Sequence, residues 1–131
     1  MKRLIIANWK MNPASPKEAR QLFNTVRKSA WKLRGVEVVV TPPFVFLPLF
    51  RPSASLKLGA QDVFFKSSPA GTGAYTGEIS AQMLKALGVS YVLVGHSERR
   101  EYLGESDEII SQKLNAALSR GLKAVLCVGE K

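Results

Sequence analysis

Short apolar runs alternate with stretches of helical spacing along this chain. Residues 3–8, Arg-Leu-Ile-Ile-Ala-Asn, predict a first strand. Ser15-Pro16-Lys17-Glu18 marks a helix start: Ser15 caps, Pro16 suits the first helical position, and Glu18 completes a capping box. Ala19, Leu22, Phe23, Val26, Ala30 and Leu33 then recur at helical spacing, and Gly35 is expected to stop the helix. Residues 36–40, Val-Glu-Val-Val-Val, predict a β-branched second strand ended by Thr41-Pro42-Pro43. Residues 44–50 are greasy but broken by Pro48. They read as a short helix or turn packed on the sheet, or alternatively as a membrane-surface patch.

Residues 56–62 predict a third strand with small residues where neighbours approach closely. A long loop follows to about Glu78, and loops of that length inside a compact domain tend to be functional. Ser80 caps a helix lined by Met83, Leu84 and Leu87 and closed by Gly88. Tyr91-Val92-Leu93-Val94 predicts a fourth strand buried on both faces. Ser106-Asp107-Glu108 starts another helix, with Ile109, Ile110, Leu114, Ala117 and Leu118 inward, and residues 124–130 predict a fifth strand. The order βα, βα, βα, βα, β implies an α/β fold: a parallel sheet of five strands joined by four crossover helices, in a single domain over residues 1–131.

Composition changes this picture little. The 46% hydrophobic and 22% charged content is that of an ordinary soluble domain. No apolar run reaches the ~20 residues that span a bilayer, and the start is too short in apolar residues for a signal peptide. With Cys127 alone there is no intrachain disulfide, and a cytoplasmic setting is expected. The net charge of +9 is lopsided: residues 1–61 hold 11 Lys/Arg against two Glu. A basic half suits nucleic acid or anionic lipid. It also suits a solvated helix face, since six of the cations lie between Lys17 and Arg34. With no nucleic-acid motif beside them, neither nucleic acid nor membrane is expected as a partner.

The candidate chemistry sits where strand four ends. Gly95 closes the apolar run, and His96, the chain's one histidine, follows with Ser97, Glu98, Arg99 and Arg100. In α/β folds ligands bind at the carboxyl ends of strands, so His96 is a candidate catalytic residue; otherwise it is a packing or surface histidine.

Five runs carry a resemblance. They are residues 7–12 (Ala-Asn-Trp-Lys-Met-Asn), 59–62 (Gly-Ala-Gln-Asp), 73–80 (Gly-Ala-Tyr-Thr-Gly-Glu-Ile-Ser), 91–100, and 125–130 (Val-Leu-Cys-Val-Gly-Glu). In order and spacing the chain resembles the triosephosphate isomerase family. The resemblance implies half of a TIM (β/α)8 barrel, a fold of about 250 residues, supplying four βα units and the fifth strand. It implies the interconversion of dihydroxyacetone phosphate and glyceraldehyde 3-phosphate, a glycolytic step that needs no cofactor and no metal.

The same resemblance distributes roles. His96 matches the family's electrophile, and Lys10 the lysine that holds the anionic substrate and stabilises charge on oxygen. A neutral histidine, a glutamate base and loop closure are established for that family, and the resemblance carries them here. Asn8 orients Lys10 or touches substrate. Glu98 lies near the site. Arg99 is structural and expected to pair with Glu78, holding the third loop against strand four. Cys127 reads as buried packing, and Glu130 ends strand five without a chemical step. Thr76, at the tip of the loop over residues 63–78, matches a subunit-interface residue. The approach to that tip, residues 64–72, is longer than the family pattern.

No glutamate of this chain matches the base, which in the family follows strand six; the phosphate-binding amides follow strands seven and eight. The isolated chain is therefore expected to be inactive or nearly so until a carboxyl-terminal half completes it for triose phosphate. The alternative is a non-catalytic half-barrel scaffold that binds anions weakly. In either case open sheet edges, or the loop over residues 63–78, favour a homo-oligomer.

Overall fold

A computed structural model describes residues 3–129. Five strands form one sheet: β1 (Arg3–Asn8), β2 (Val36–Thr41), β3 (Leu56–Ala60), β4 (Val89–Val94) and β5 (Lys123–Leu126). They lie in the order β1-β2-β3-β4-β5, and every neighbouring pair is parallel. The sheet curls as half of a (β/α)8 barrel. Helices α1 (Pro16–Ala30), α2 (Ala81–Ala86), α3 (Ser97–Leu103) and α4 (Asp107–Ser119) lie between strands.

The expected caps form. Ser15 Oγ accepts from the Glu18 N–H at 3.3 Å, and Ser80 and Ser106 cap α2 and α4 in the same way. The reciprocal arm of the box at Ser15 differs from expectation, because the Glu18 carboxylate accepts from the Ser15 hydroxyl at 2.8 Å.

Two crossovers differ from a single α-helix each. Residues 44–49 form the short helical segment expected there, a 3-10 helix with Pro48 inside it, so no α-helix joins β2 to β3. The proline offers no N–H, and six residues are too few to recover the loss. The β4–β5 crossover instead carries two helices, α3 and α4. Helix α1 stops at Ala30, before the expected Gly35; Lys32 and Leu33 donate back only three residues, to Ser29 and Ala30. Strand β3 ends at Ala60, leaving Gln61 and Asp62 just beyond it, and β5 ends at Leu126. Glu130 lies outside the described residues.

Strand alternation sorts the two faces. Val38, Val40, Leu56, Leu58, Val92 and Val94 face the helices and bury against Ala19, Phe23, Leu84, Ile110 and Ala117. Residues 44–50 belong to this core: Leu47 and Phe50 are buried, and Phe50 stacks on Phe23 at 4.3 Å. The other, concave face carries Val39, Thr41 and Tyr91 around Gly59. A Cβ built at Gly59 would stand 2.6 Å from Thr41 Cγ2 and 3.1 Å from Val39 Cγ1, so only glycine lets the strands close there.

Candidate functional site

Asn8 ends β1, and Lys10 follows two residues later with φ of 54°, the one positive φ recorded for a non-glycine residue among those described. That backbone is strained for lysine and needs outside support. Asn8 Oδ1 accepts from the Lys10 N–H at 2.9 Å. From just past β3, Gln61 Nε2 donates to the Lys10 carbonyl at 2.7 Å and to the Thr41 carbonyl at 2.8 Å. Three strand ends thus fix one lysine. Gln61 lies in the run Gly59-Ala60-Gln61-Asp62, and its residue type alone assigns it no role. Its signal was its place one residue past a strand that ends on the same rim.

His96 enters from β4. Gly95 has φ of 77°, and the Arg100 guanidinium grips its carbonyl at 2.9 Å. That turn makes His96 the N-cap of α3, where its Nδ1 accepts from the Glu98 N–H at 3.2 Å. A ring nitrogen that accepts carries no hydrogen, so this bond selects the tautomer with its hydrogen on Nε2. Glu98 Oε2 lies 3.6 Å from the same Nδ1, a longer and non-directional contact; the backbone bond governs.

Lys10 Nζ meets Glu98 Oε1 at 2.8 Å. The hydrogen bond to Glu98 raises the Lys10 pKa, and the bond from Lys10 lowers that of Glu98. Both groups are open to solvent, with the lysine side chain 55% exposed. The His96 ring is 23% exposed. The rim therefore presents an ammonium and an imidazole N–H around one carboxylate, two donors able to stabilise charge on a substrate oxygen.

Arg99 does not pair with Glu78. Its Nη2 lies 3.0 Å from Asp62 Oδ2 and its Nε 2.6 Å from Glu105 Oε1. Lys113, buried on α4, joins the same two acids, at 2.7 Å to Asp62 Oδ1 and in close contact with Glu105. Glu78 sits exposed in the loop, where its N–H donates to the Tyr75 carbonyl. The expected pair fails because two nearer, buried carboxylates need the guanidinium more.

Burial pushes the Asp62 carboxyl up despite its cations. At Glu105 burial also pushes upward, but the hydrogen bonds from Lys113 and Arg99 outweigh it and the pKa falls. Glu105 Oε2 is buried without a hydrogen-bond partner. The signal for this cluster was Lys113 itself, which falls among Ile110, Leu114 and Ala117 on the inward face of α4.

Cys127 follows β5 and is half-buried, with its N–H donating to the Val94 carbonyl at 2.9 Å. Burial raises its thiol pKa, which fits packing rather than reactivity. It lines a cleft of about 760 Å³ with Gly95, Ser97, Arg100 and Val128.

Thr76 is exposed in the loop between β3 and α2. Phe64 packs on Tyr75 with centroids 4.9 Å apart, and Arg120 donates to the Ser68 and Pro69 carbonyls at 3.3 and 2.7 Å. The structure brings Asn8, Lys10, His96 and Glu98 together, sets Arg99 behind them, and leaves Thr76 and Glu78 on the loop.

A curled parallel sheet with its donors at the carboxyl ends of the strands defines a TIM-barrel protein in the half seen here. The triosephosphate isomerase family model matches residues 3–131, and the chain belongs to that family. It is 44% identical over 135 residues to a triosephosphate isomerase of Dehalococcoides mccartyi, covering 100% of this chain and 51% of that protein. It is 48% identical to one from a Thermoanaerobacter species, over 99% of this chain and 52% of that one. It is 45% identical to that of Aquifex aeolicus, over 100% and 52%. The chain spans about half the length of the curated relatives it matches.

Proposed function

We propose that residues 1–131 supply the electrophilic half of a triosephosphate isomerase site, and that they do not turn over alone. The observation that carries this is the shared carboxylate: Glu98 binds Lys10 Nζ while its N–H holds His96 Nδ1, leaving the imidazole Nε2–H free to donate. In the reaction, a base removes a carbon-bound proton from dihydroxyacetone phosphate. His96 and Lys10 stabilise the enediolate oxygen, and the proton returns to the neighbouring carbon to give glyceraldehyde 3-phosphate. Lys10 also attracts the phosphate dianion. The glutamate base, the lid and the phosphate amides belong to later barrel strands in the family. General-base catalysis alone typically contributes about 10²–10⁴-fold. The setting that goes with this chemistry is cytoplasmic glycolysis.

The test is to assay the 131-residue chain alone and after mixing with the carboxyl-terminal half of a relative. No turnover alone, turnover on mixing, and its loss with His96→Gln are expected. Turnover by the chain alone at the full-length rate, with host enzyme excluded, overturns the inactivity. A mixed complex that forms yet stays inactive overturns the site assignment.

The second reading is a self-associating scaffold. It is favoured by Leu4 and Ile5 on edge strand β1 and Leu126 on edge strand β5, all exposed. Two edges of one parallel sheet, or the loop carrying Thr76, offer the contact. A concentration-independent monomer on sizing removes this reading.

A further inference from the structure

Helix α1 carries a surface that the isomerase reading does not use. Successive helical residues turn by about 100°, so Lys17, Arg20, Asn24, Arg27, Lys28 and Trp31 fall within one arc of about 100°. That arc is centred about 110° around the helix from the buried Ala19, Phe23 and Ala30, and all six of its residues are exposed. The face therefore flanks the buried one and stands open to solvent. Lys32 and Arg34 follow in the turn after the helix, which brings the cations of residues 17–34 to six.

Two observations separate this face from an ordinary solvated one. Among the described residues, no acid lies within ion-pair distance of any of these six cations. The segment's one acid, Glu18, is held by the Ser15 hydroxyl at the far end of the helix. In addition, Trp31 is 77% exposed and Leu33 47% exposed at the basic end, whereas Trp9 is 8% exposed in the core. A large indole left in water within a ring of unpaired cations marks a surface built for contact.

We propose that this face of α1 docks on an anionic lipid bilayer. The helix is 15 residues long, a convex strip of about 22 Å that meets a plane rather than a groove. Its cations find their counter-charge in acidic headgroups. Trp31 and Leu33 enter the headgroup boundary, where an indole and an aliphatic chain are both accepted. Leu33 favours lipid over nucleic acid, because base stacking rewards Trp31 alone. The apolar face of α1 stays committed to the sheet, so contact is peripheral and salt-sensitive. Among the described residues no helix is long and apolar enough to cross a membrane. This revises the expectation that membranes are not partners, and it rests on nothing in the isomerase reading.

The experiment is sedimentation of the 131-residue chain with phosphatidylcholine vesicles containing phosphatidylserine, against phosphatidylcholine alone, with tryptophan emission read in parallel. Binding only to the anionic vesicles is expected, with a blue shift that disappears in Trp31→Phe. Each cation near the surface is worth about fivefold in partitioning, so the Arg27→Glu/Lys28→Glu double variant loses at least about 25-fold. Salt at about 1 M, where the Debye length is about 3 Å, releases the chain. Absence of binding at low salt overturns the proposal. So does binding unchanged in the double variant, or a blue shift that persists in Trp31→Phe, since Trp9 would then be reporting loss of the core. Tighter binding to single-stranded oligonucleotide than to the vesicles overturns the lipid assignment in favour of nucleic acid. The variants lie on an exposed face, and far-UV dichroism confirms their fold.

Discussion

Gln61 donates to the Lys10 carbonyl at 2.7 Å and thereby holds a lysine whose φ is positive. The same amide reaches the Thr41 carbonyl at 2.8 Å, so one side chain ties the ends of β1, β2 and β3 together. Gln61→Met keeps the length of the side chain and removes both donors. Each lost bond weakens the fold by about 0.5–1.5 kcal/mol. The urea midpoint is expected to fall accordingly. The resonances of residues 9–12 should broaden as Lys10 leaves its strained conformation. A midpoint unchanged from wild type would mean that solvent replaces both bonds.

Glu98→Gln tests the shared carboxylate. The hydrogen bond from Lys10 to Glu98 raises the lysine pKa, so the variant moves Lys10 titration down towards the ordinary 10.5. The sign for stability has two limbs. The lysine contribution is full below 10.5 and is lost as pH rises through the raised value. The glutamate contribution is full above 4.5 and is lost as pH falls through the lowered value. Because the pair is exposed, salt weakens both limbs. Nitrogen-detected titration of Lys10 Nζ in the two proteins reads the shift directly, and coincident curves would dissociate the two residues.

The strands and the rim were legible because their signals are local. Runs such as Val36–Val40 and Tyr91–Val94 declare buried parallel strands, and Ser15, Ser80 and Ser106 declare helix starts. His96 was placed by what precedes it, an apolar strand and a glycine. The misreadings concern partners chosen over distance. By sequence Arg99 matches any acid, and Glu78 is one of several. The choice of Asp62 and Glu105 depends on α4 delivering Lys113 to the same pocket, which no local pattern states. Gly35 looked like a helix stop, but Trp31 to Leu33 had already tightened the last turn. The two-helix crossover was missed because seven residues of α3 are too few to show a period.

Gly59→Ala probes the closeness of β2 and β3. The added methyl would sit 2.6 Å from Thr41 Cγ2 and 3.1 Å from Val39 Cγ1. Val39 and Thr41 are fully buried in the sheet, so neither yields easily. Overpacking of this kind costs about 1–3 kcal/mol. A lower urea midpoint with an unchanged slope is expected, with Lys10 and His96 signals shifting because Thr41 and Gln61 lie beside the graft. Wild-type stability would show that the sheet opens there without cost.

Lys113→Met separates charge from packing in the buried cluster. Methionine fills similar space but leaves Asp62 and Glu105 facing each other through Arg99 alone. Removing one partner of a buried ionic cluster costs about 3–5 kcal/mol near neutral pH. Loss of the ammonium also raises both folded carboxyl pKa values above their positions in wild type, where burial already lifts Asp62 and the cations hold Glu105 down. As pH falls from about 7 to about 5, the folded variant then takes up protons that the unfolded chain does not, and protonation relieves the buried charge. The stability gap between wild type and Lys113→Met is therefore expected to narrow on acidification. Denaturant titrations at the two pH values measure it. A gap of constant size would assign the loss to packing and deny the carboxylates their need for Lys113.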